Sequence, residues 1–340
     1  MLKTAVVILN WNGKNYLEKF LPTLINYTQN PNTQIIIADN NSKDDSIDFL
    51  NKYYPSIRQI NFDQNYGFTG GYNKALDQIE AEYYVLLNSD VEVSENWLTP
   101  IINLMDSDSS IAACQPKILS YHQKSYFEYA GASGGFIDKY GYPFCRGRVL
   151  DTIEKDKGQH NTIREIFWAT GACMIVRSEL FNKTGGLDND FFAHMEEIDL
   201  CWRLKNQGYK IVCNPESVVY HVGGGTLPNN SPFKLYLNFR NNLFLLYKNL
   251  PKGKLFPVLT SRMLLDGLSA IIFLLKFSFK SFYAVLKAHI HFYKSLRKLR
   301  EKRKKLLQNT VVNQHKEIYQ RSVVIDYFLR KMHHFTDFER

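Results

Sequence analysis

Cysteine is scarce in this chain: five residues (Cys114, Cys145, Cys173, Cys201, Cys213), with no CxxC pair among them. An odd count without close pairs argues against a disulfide framework and a zinc site, and it fits a reducing compartment. Long apolar runs are missing too. The longest charge-free core of the Leu-, Phe- and Lys-rich segment 255–308, residues 267–275, is far shorter than the ~20 apolar residues that a membrane-spanning helix needs. The N-terminal "MLKTAVVILNWNGK" passes from a short apolar run straight into polar residues, so no secretion signal is expected. No G-x-G-x-x-G follows the first apolar run; Asn10-Trp11-Asn12-Gly13 stands there instead. That disfavours hydride transfer to a dinucleotide. Internal repeats and low-complexity tracts are also absent.

What is present is globular. Hydrophobic residues make up 45% and charged residues 22% of the 340, which excludes wholesale disorder. The net charge of +9 is unevenly spread. Residues 1–250 hold 23 Lys and Arg against 27 Asp and Glu, a net of −4, whereas residues 251–310 hold 14 against 2, a net of +12. The basic character therefore belongs to one segment. That segment is rich in Leu, Phe and Lys, as expected of a basic amphipathic helix lying in a membrane interface. An ordinary helical subdomain with a solvated tail, or a homo-oligomer contact, would use the same residues. Nucleic-acid binding is not expected, because no fold signature accompanies the charge.

The first 120 residues alternate β-rich runs with helical patterns. Strands are expected at 4–10, 34–40, 57–62, 83–88 and 111–119, with helices at 15–28, 44–54, 70–80 and 95–105. This implies an α/β fold with a mostly parallel central sheet covered on both faces. Ligands of such sheets bind outside the carboxyl ends of the strands, where Asn10, Asp39 and Asp90 converge. Residues 121–165 read as loop-like, Gly- and Tyr-rich sequence; strands at "GACMIVRS", "YKIVCN" and "SVVYHV" and a helix at 196–207 follow.

Three stretches carry candidate chemistry. "VLLNSD" ends an apolar run at Asp90, which suits a hard divalent cation held by one or two protein carboxylates while it bridges a diphosphate. "FFAHMEEIDLCWR" crowds Glu196, Glu197 and Asp199 into four positions at a helix start, where the positive dipole end favours them. One of them could accept a proton from a hydroxyl nucleophile, or all three could form an acidic first turn without chemistry. His221 precedes Gly223-Gly224-Gly225-Thr226, a turn where backbone can approach a phosphate, but a lone histidine is more often structural. Asp39 taken alone reads equally as a turn or helix-capping residue.

In order along the chain, "VVILNWNG", "IADNNSKDDS", Asn65-Tyr66-Gly67-Phe68 with "GGYNKAL", "LLNSD", "TGACMIVRSELFNKTGGLDNDFF", "EEIDLCWR" and "YHVGGGT" resemble family 2 glycosyltransferases. The likeness is to the rhamnosyltransferase and galactofuranosyltransferase branch and covers roughly residues 3–250. It implies a GT-A fold binding a nucleotide-diphospho-sugar; residues 251–340 lie beyond it, and their basic amphipathic pattern makes them a membrane-associating helical region. It also implies an inverting, metal-dependent transfer to a glycan or lipid-linked acceptor in bacterial surface polysaccharide synthesis. The resemblance places the donor on Asn10, Asn12, Asp39, Asn41, Asn65, Gly67, Gly71, Asn88 and Ser89. It places Mg2+ or Mn2+ on Asp90 and His221, and the acceptor-side wall at Thr170, Gly171 and Ala172. Glu197, or its neighbour Glu196, matches the general base. Two departures stand out: Asn88 replaces the first Asp of a D-x-D motif, and Glu197 stands where the family has Asp. They keep open a silent nucleotide-sugar-binding scaffold of the same fold. A nucleotidyltransferase would need a Gly-rich, basic loop after the first strand, which "NWNGKNYLEKF" does not supply. The resemblance makes dTDP-rhamnose the first donor to expect, ahead of UDP-hexoses, at the cytoplasmic face of the membrane.

Overall fold

The computed structural model describes residues 1–223 and 231–339. The first half is built as the periodicity predicts. Strands β1 (Leu2–Asn10), β2 (Thr33–Asp39), β3 (Arg58–Asn61) and β4 (Ala81–Leu87) alternate with helices α1 (Lys14–Tyr27), α2 (Ser46–Tyr53) and α3 (Gly67–Leu76). The short β5 (Val91–Val93), α4 (Thr99–Ser107) and β6 (Ile111–Ser120) follow. These strands pair in parallel in the order β4-β1-β2-β3. Alternate side chains sort to the two faces, as strand geometry requires. Val6, Ile8, Ile37 and Val85 pack with Leu17, Leu21 and Leu24 of α1, whereas Val7, Ile36 and Leu86 pack with Tyr72 and Leu76 of α3.

The region read as loop-like, 121–165, is not structureless. It forms a second sheet of short strands: β7 (Gly135–Asp138), β8 (Pro143–Cys145), β9 (Arg148–Val149) and β10 (Thr152–Ile153). Strands of two to four residues are too short to leave a readable alternation in sequence. Their glycines serve geometry: Gly147 has φ +111°, and a Cβ there would sit 2.5 Å from the Phe127 ring.

The chain then re-enters the large sheet through β11 (Arg164–Ile166) and β12 (Cys173–Arg177). After α5 (Ser178–Lys183) and α6 (Glu196–Asn206) it adds β13 (Lys210–His221). β12 runs antiparallel between β4 and β6, and β13 is parallel to β6. The sheet is therefore mixed, parallel through β4-β1-β2-β3 and again at β6-β13. All five cysteines are buried and unpaired.

Helices α7 (Pro232–Asn249), α8 (Lys252–Leu275) and α9 (Phe279–Gln308) complete the body, followed by β14 (Ile318–Tyr319) and α10 (Val323–Arg330). This C-terminal part folds back on the rest. β14 pairs with β7, and Phe335 packs on Phe136 with ring centroids 4.9 Å apart. Contrary to the short-core reading, α8 as a whole is long and apolar enough to cross a membrane by length and composition, with a mean hydropathy of 1.8 over its best window. The difference lies in its two charges. Arg262 and Asp266 pair one turn apart at 2.7 Å, buried, with His289 of α9 at 3.2 Å from the same aspartate and the Tyr142 ring 4.0 Å from the guanidinium. Breaking this pair from one side strands a buried charge. Asp266→Ala should cost about 3–5 kcal/mol in urea unfolding, and Arg262→Met with Asp266→Leu markedly less. Equal losses in the two variants would show that the pair is solvated.

Candidate active site

The carboxyl ends of β1, β2 and β4 bring most of the expected donor residues together. Asn10 is fully buried, and its amide donates to Asp39 at 2.9 Å and to Ser42 Oγ at 3.1 Å. Its own Oδ1 has no partner and sits 2.4 Å from where a Cβ on Gly13 would lie. A side chain at position 13 would fill that space, and a buried acceptor left unpaired costs free energy unless a ligand supplies a donor. Asp39 accepts from the Ser42 amide (2.8 Å) and hydroxyl (2.6 Å), so part of its capacity is spent on the turn that follows it. Asn12 and Asn41 adopt left-handed backbone (φ 52° and 60°), which Asn tolerates better than most residues. Their side chains fix local structure: Asn12 accepts from the Lys43 amide, and Asn41 donates to the Asp63 carbonyl.

Asn65 and Gly67 are joined to this edge by a residue the sequence did not single out. Asn40, buried, donates to Asn65 Oδ1 and to the Gly67 carbonyl (both 3.0 Å) and accepts from the Tyr66 amide. Gly67 has φ +71°, and a Cβ there would lie 2.6 Å from the Phe192 ring. Gly71 packs against Leu9 of β1, so its role is close helix–strand approach.

At the end of β4, the Asn88 amide donates to the Ala172 carbonyl, which ties "NSD" to the start of β12. Asn88 and Ser89 are partly exposed and Asp90 is buried. Asp90 lies 3.1 Å from His221 Nε2, because β5, which follows it, pairs with the end of β13. A third group completes the cluster: Glu128 approaches His221 Nδ1 at 3.3 Å. It is held there by its backbone bond to Ile118 on β6. Sequence reasoning missed Glu128 because it lies in the segment read as loop. Burial works against the charge on His221, but the two carboxylates outweigh it and push its pKa up to about 10. Burial likewise opposes ionisation of Asp90, and the His221 bond and charge prevail, keeping its carboxyl below the usual range. The turn Gly224-Gly225-Thr226 lies outside the described residues.

Thr170, Gly171 and Ala172 form a buried bridge. The Thr170 amide donates to Gln115, its hydroxyl accepts from the Ala172 amide, and Gly171 backs onto the Phe68 ring. The Ala169 amide reaches Cys201 Sγ on α6 at 3.4 Å, one turn beyond Glu197. The loop before α6 is strained: Phe192, His194 and Met195 all have positive φ (66°, 68°, 71°). Such conformations persist only where surrounding structure over-determines them. Here α7 does so, since Asn241 donates to the carbonyls of Phe191, Ala193 and His194, and Arg240 to those of Asp190 and Phe191.

The three carboxylates at the start of α6 fare differently. Asp199 is fully buried but paired with Arg203 and Lys248, both at 2.8 Å. Glu196 is buried and Glu197 half-buried, and each has an Oε2 without a hydrogen-bond partner. Burial, then the neighbouring Glu197, pushes Glu196 well above the usual carboxylate range. Burial raises Glu197 to about 7 against the opposing effect of nearby backbone amides. Desolvation thus overrides the helix dipole, which the sequence reading had taken to favour charge at this terminus. A cavity of about 660 Å³ lined by Asn73, Tyr84, Phe181 and Asn182 includes none of these groups.

The sequence pattern described as glycosyl transferase family 2 matches residues 5–185, more than half of the chain. The chain belongs to glycosyl transferase family 2. It is a glycosyltransferase. Among its relatives is an L-rhamnosyltransferase of Mycobacterium tuberculosis named for N-acetylglucosaminyl-diphospho-decaprenol. That protein is 24% identical over 231 residues, covering 64% of this chain and 75% of the relative. The rhamnosyltransferase WbbL of Escherichia coli K12 is 25% identical over 218 residues (61% and 78%). The O-antigen biosynthesis protein RfbC of Myxococcus xanthus is 24% identical over 222 residues, but the match spans only 17% of that protein. Solved structures agree on the GT-A fold. GalNAc-T7 with UDP, GalNAc and Mn2+ superposes with a TM-score of 0.56 at 15% identity, covering 73% of this chain and 48% of that one. The mannosyltransferase PcManGT of Pyrobaculum calidifontis, with GDP-Man and Mn2+, gives 0.52 at 11% identity, covering 92% and 86%. The family match ends before Glu196, Glu197 and His221, so the case for those residues rests on geometry.

A carboxyl whose pKa is raised in the folded state stabilises the fold only while protonated. The contribution of Glu197, complete below its ordinary 4.5, is lost as pH rises through about 7. Glu197→Gln should therefore raise the unfolding temperature by a few degrees at about pH 8 and leave it nearly unchanged at about pH 4. An equal shift at both pH values would place the effect in packing.

Proposed function

We propose that the chain transfers a sugar from a nucleotide-diphospho-sugar, dTDP-rhamnose first among candidates, to a hydroxyl of a glycan or lipid-linked acceptor, inverting the anomeric centre. The observation that carries this reading is the contrast between two acidic sites on one scaffold: Asp90 in contact with His221, and Glu196 with Glu197, each with a buried Oε2 that has no partner. The rhamnosyltransferase relatives support the donor class, and the O-antigen and decaprenol-linked names support the acceptor class.

Asp90 and His221 fit a divalent cation. One carboxylate and one imidazole lie side by side, Asp90 3.1 Å from His221 Nε2, while Glu128 faces the other ring nitrogen at 3.3 Å; a cation bound there would displace the imidazolium proton. Among the described residues no group of three His, Cys, Asp or Glu is arranged to hold a metal alone. The remaining ligands would thus come from the donor's diphosphate and water, the usual arrangement for Mg2+. Bound Mg2+ or Mn2+ would act as a Lewis acid on the leaving diphosphate. Asp39 and Asn10 receive the nucleoside, the Asn10 Oδ1 being free to accept from it. Glu196, its carboxyl pushed well above the usual range by burial and then by Glu197, is disposed to the uncharged form beside its neighbour. Glu197 accepts the proton of the attacking hydroxyl, and its pKa near 7 suits a base at neutral pH. Thr170, Gly171 and Ala172 wall the acceptor side. Buried free cysteines support a reducing, cytoplasmic setting, and the basic C-terminal segment supports association with the inner face of the membrane.

A panel of dTDP-rhamnose, UDP-hexoses and GDP-mannose with Mg2+ or Mn2+, assayed for nucleoside diphosphate release, tests the reading. Release from one donor should be lost in Asp90→Ala and on chelation. It should fall about 10²–10⁴-fold in Glu197→Gln, and its rate should climb with pH through about 7. Full activity in both variants would refute these roles, and turnover of any donor would eliminate the silent scaffold.

A further inference from the structure

The outer surface of the C-terminal hairpin is apolar in a way the catalytic body does not explain. Along α8, Phe256, Thr260, Leu264, Leu268, Ile271, Ile272 and Leu275 are exposed in one stripe at helical spacing, with Leu274 exposed beside it. Phe256 is 80%, Leu264 72% and Leu275 73% exposed. The stripe continues past the turn, where Phe277 is 80% exposed, into α9 with Phe279, Tyr283, Leu286, Ile290 and Tyr293. Tyr293 reaches back to Met263 of α8 at 3.5 Å, so the α9 stripe borders α8. Contiguous exposed apolar surface of this extent marks an interaction site.

Charge identifies the occupant. Residues 252–300 contain ten Lys and Arg and one carboxylate, Asp266, which is turned inward and paired with Arg262. Lys280, Lys287 and Lys294 are exposed at seven-residue spacing, each one position after Phe279, Leu286 and Tyr293. A basic rail therefore runs beside the apolar stripe, with no exposed acid among these residues to repel an anionic surface. The inner face of α8 is occupied by protein: Leu255, Val258, Leu259 and Met263 pack against the main core. That packing, with Arg262, Asp266 and Ala270 buried further along the same helix, favours α8 lying along a leaflet over crossing the bilayer.

We propose that α8 and the first half of α9 embed their outward apolar stripe in one leaflet of an anionic phospholipid bilayer, with Lys280, Lys287 and Lys294 on the headgroups. The hairpin is rigidly coupled to the catalytic loop. Lys298 and Lys302 of α9 pair with Asp190, and Lys302 and Lys248 of α7 with Asp188, seven and nine residues before Glu197. The same α7 clamps the strained loop through Arg240 and Asn241. The bilayer thereby fixes the direction from which Glu197 meets an acceptor. This last step rests on the lipid-linked acceptor reading above; the insertion does not.

Flotation of the full-length chain with phosphatidylglycerol-containing and with neutral phosphatidylcholine vesicles, in low and in molar salt, tests the proposal without any donor. The wild type should float with the anionic vesicles and stay bound in molar salt. Leu268→Glu with Ile271→Glu and Leu275→Glu should lose at least about tenfold in bound fraction while keeping its far-UV circular dichroism. Lys280→Glu with Lys287→Glu and Lys294→Glu should bind anionic vesicles no better than neutral ones. A wild type that stays at the bottom of the gradient, or an apolar-stripe variant that floats as well as wild type, would overturn the proposal. So would a wild-type dimer, insensitive to vesicles, that the stripe variant converts to monomer, since the stripe would then belong to a second copy. Flotation without turnover of any donor would leave the insertion standing and contradict only the catalytic reading.

Discussion

Three carboxylates within four positions at the start of one helix cannot all be buried and charged. How the fold resolves that conflict organises the rest of the molecule. Asp199 is neutralised by Arg203 and Lys248 and anchors α6 to α7. Glu196 and Glu197 receive no cation, and desolvation raises both. Such a site costs stability, and it persists because α7 supplies Asn241 and Arg240 to the carbonyls of the left-handed loop before it. The C-terminal helices therefore support the candidate site mechanically, through α7 and the loop before α6.

The other half of the site follows the opposite logic. Asp90 and His221 are buried in contact, and the two stabilise each other's charge. Glu128 adds a carboxylate on the far nitrogen of His221, and a second carboxylate there orients the ring and sets its tautomer when the near nitrogen is a ligand. One scaffold thus carries a carboxyl held below its usual range at Asp90 and two pushed above it at Glu196 and Glu197. Divergent pKa values of this kind are how two carboxyl groups acquire two roles.

Legibility in the sequence followed length and periodicity. The parallel strands β1 to β4 and their helices fall within a few residues of where alternation places them, because each spans several periods. Asn10, Asp39 and Asp90 were legible as strand-terminal polar residues. The second sheet was not, since strands as short as Arg148–Val149 carry no period, and with it went Glu128. Asn40 was passed over because its neighbours Asp39 and Asn41 carried the motif, although it is Asn40 that ties β2 to the loop at Asn65. The apolar character of α8 was hidden by Arg262 and Asp266, which interrupt the sequence but not the surface. Only tertiary packing shows that these two charges face inward and cancel.

The central claim is that Asp90 and His221 form the cation-dependent seat of a nucleoside diphosphate. Calorimetric titration of the wild type and of Asp90→Ala with dTDP and UDP, each with Mn2+ and after chelation, tests it most directly. The account predicts wild-type binding that strengthens at least about tenfold with Mn2+ and an Asp90→Ala protein whose binding is weak and indifferent to the metal. Wild-type affinity unchanged by Mn2+, or an Asp90→Ala protein that responds to the metal as the wild type does, would contradict it.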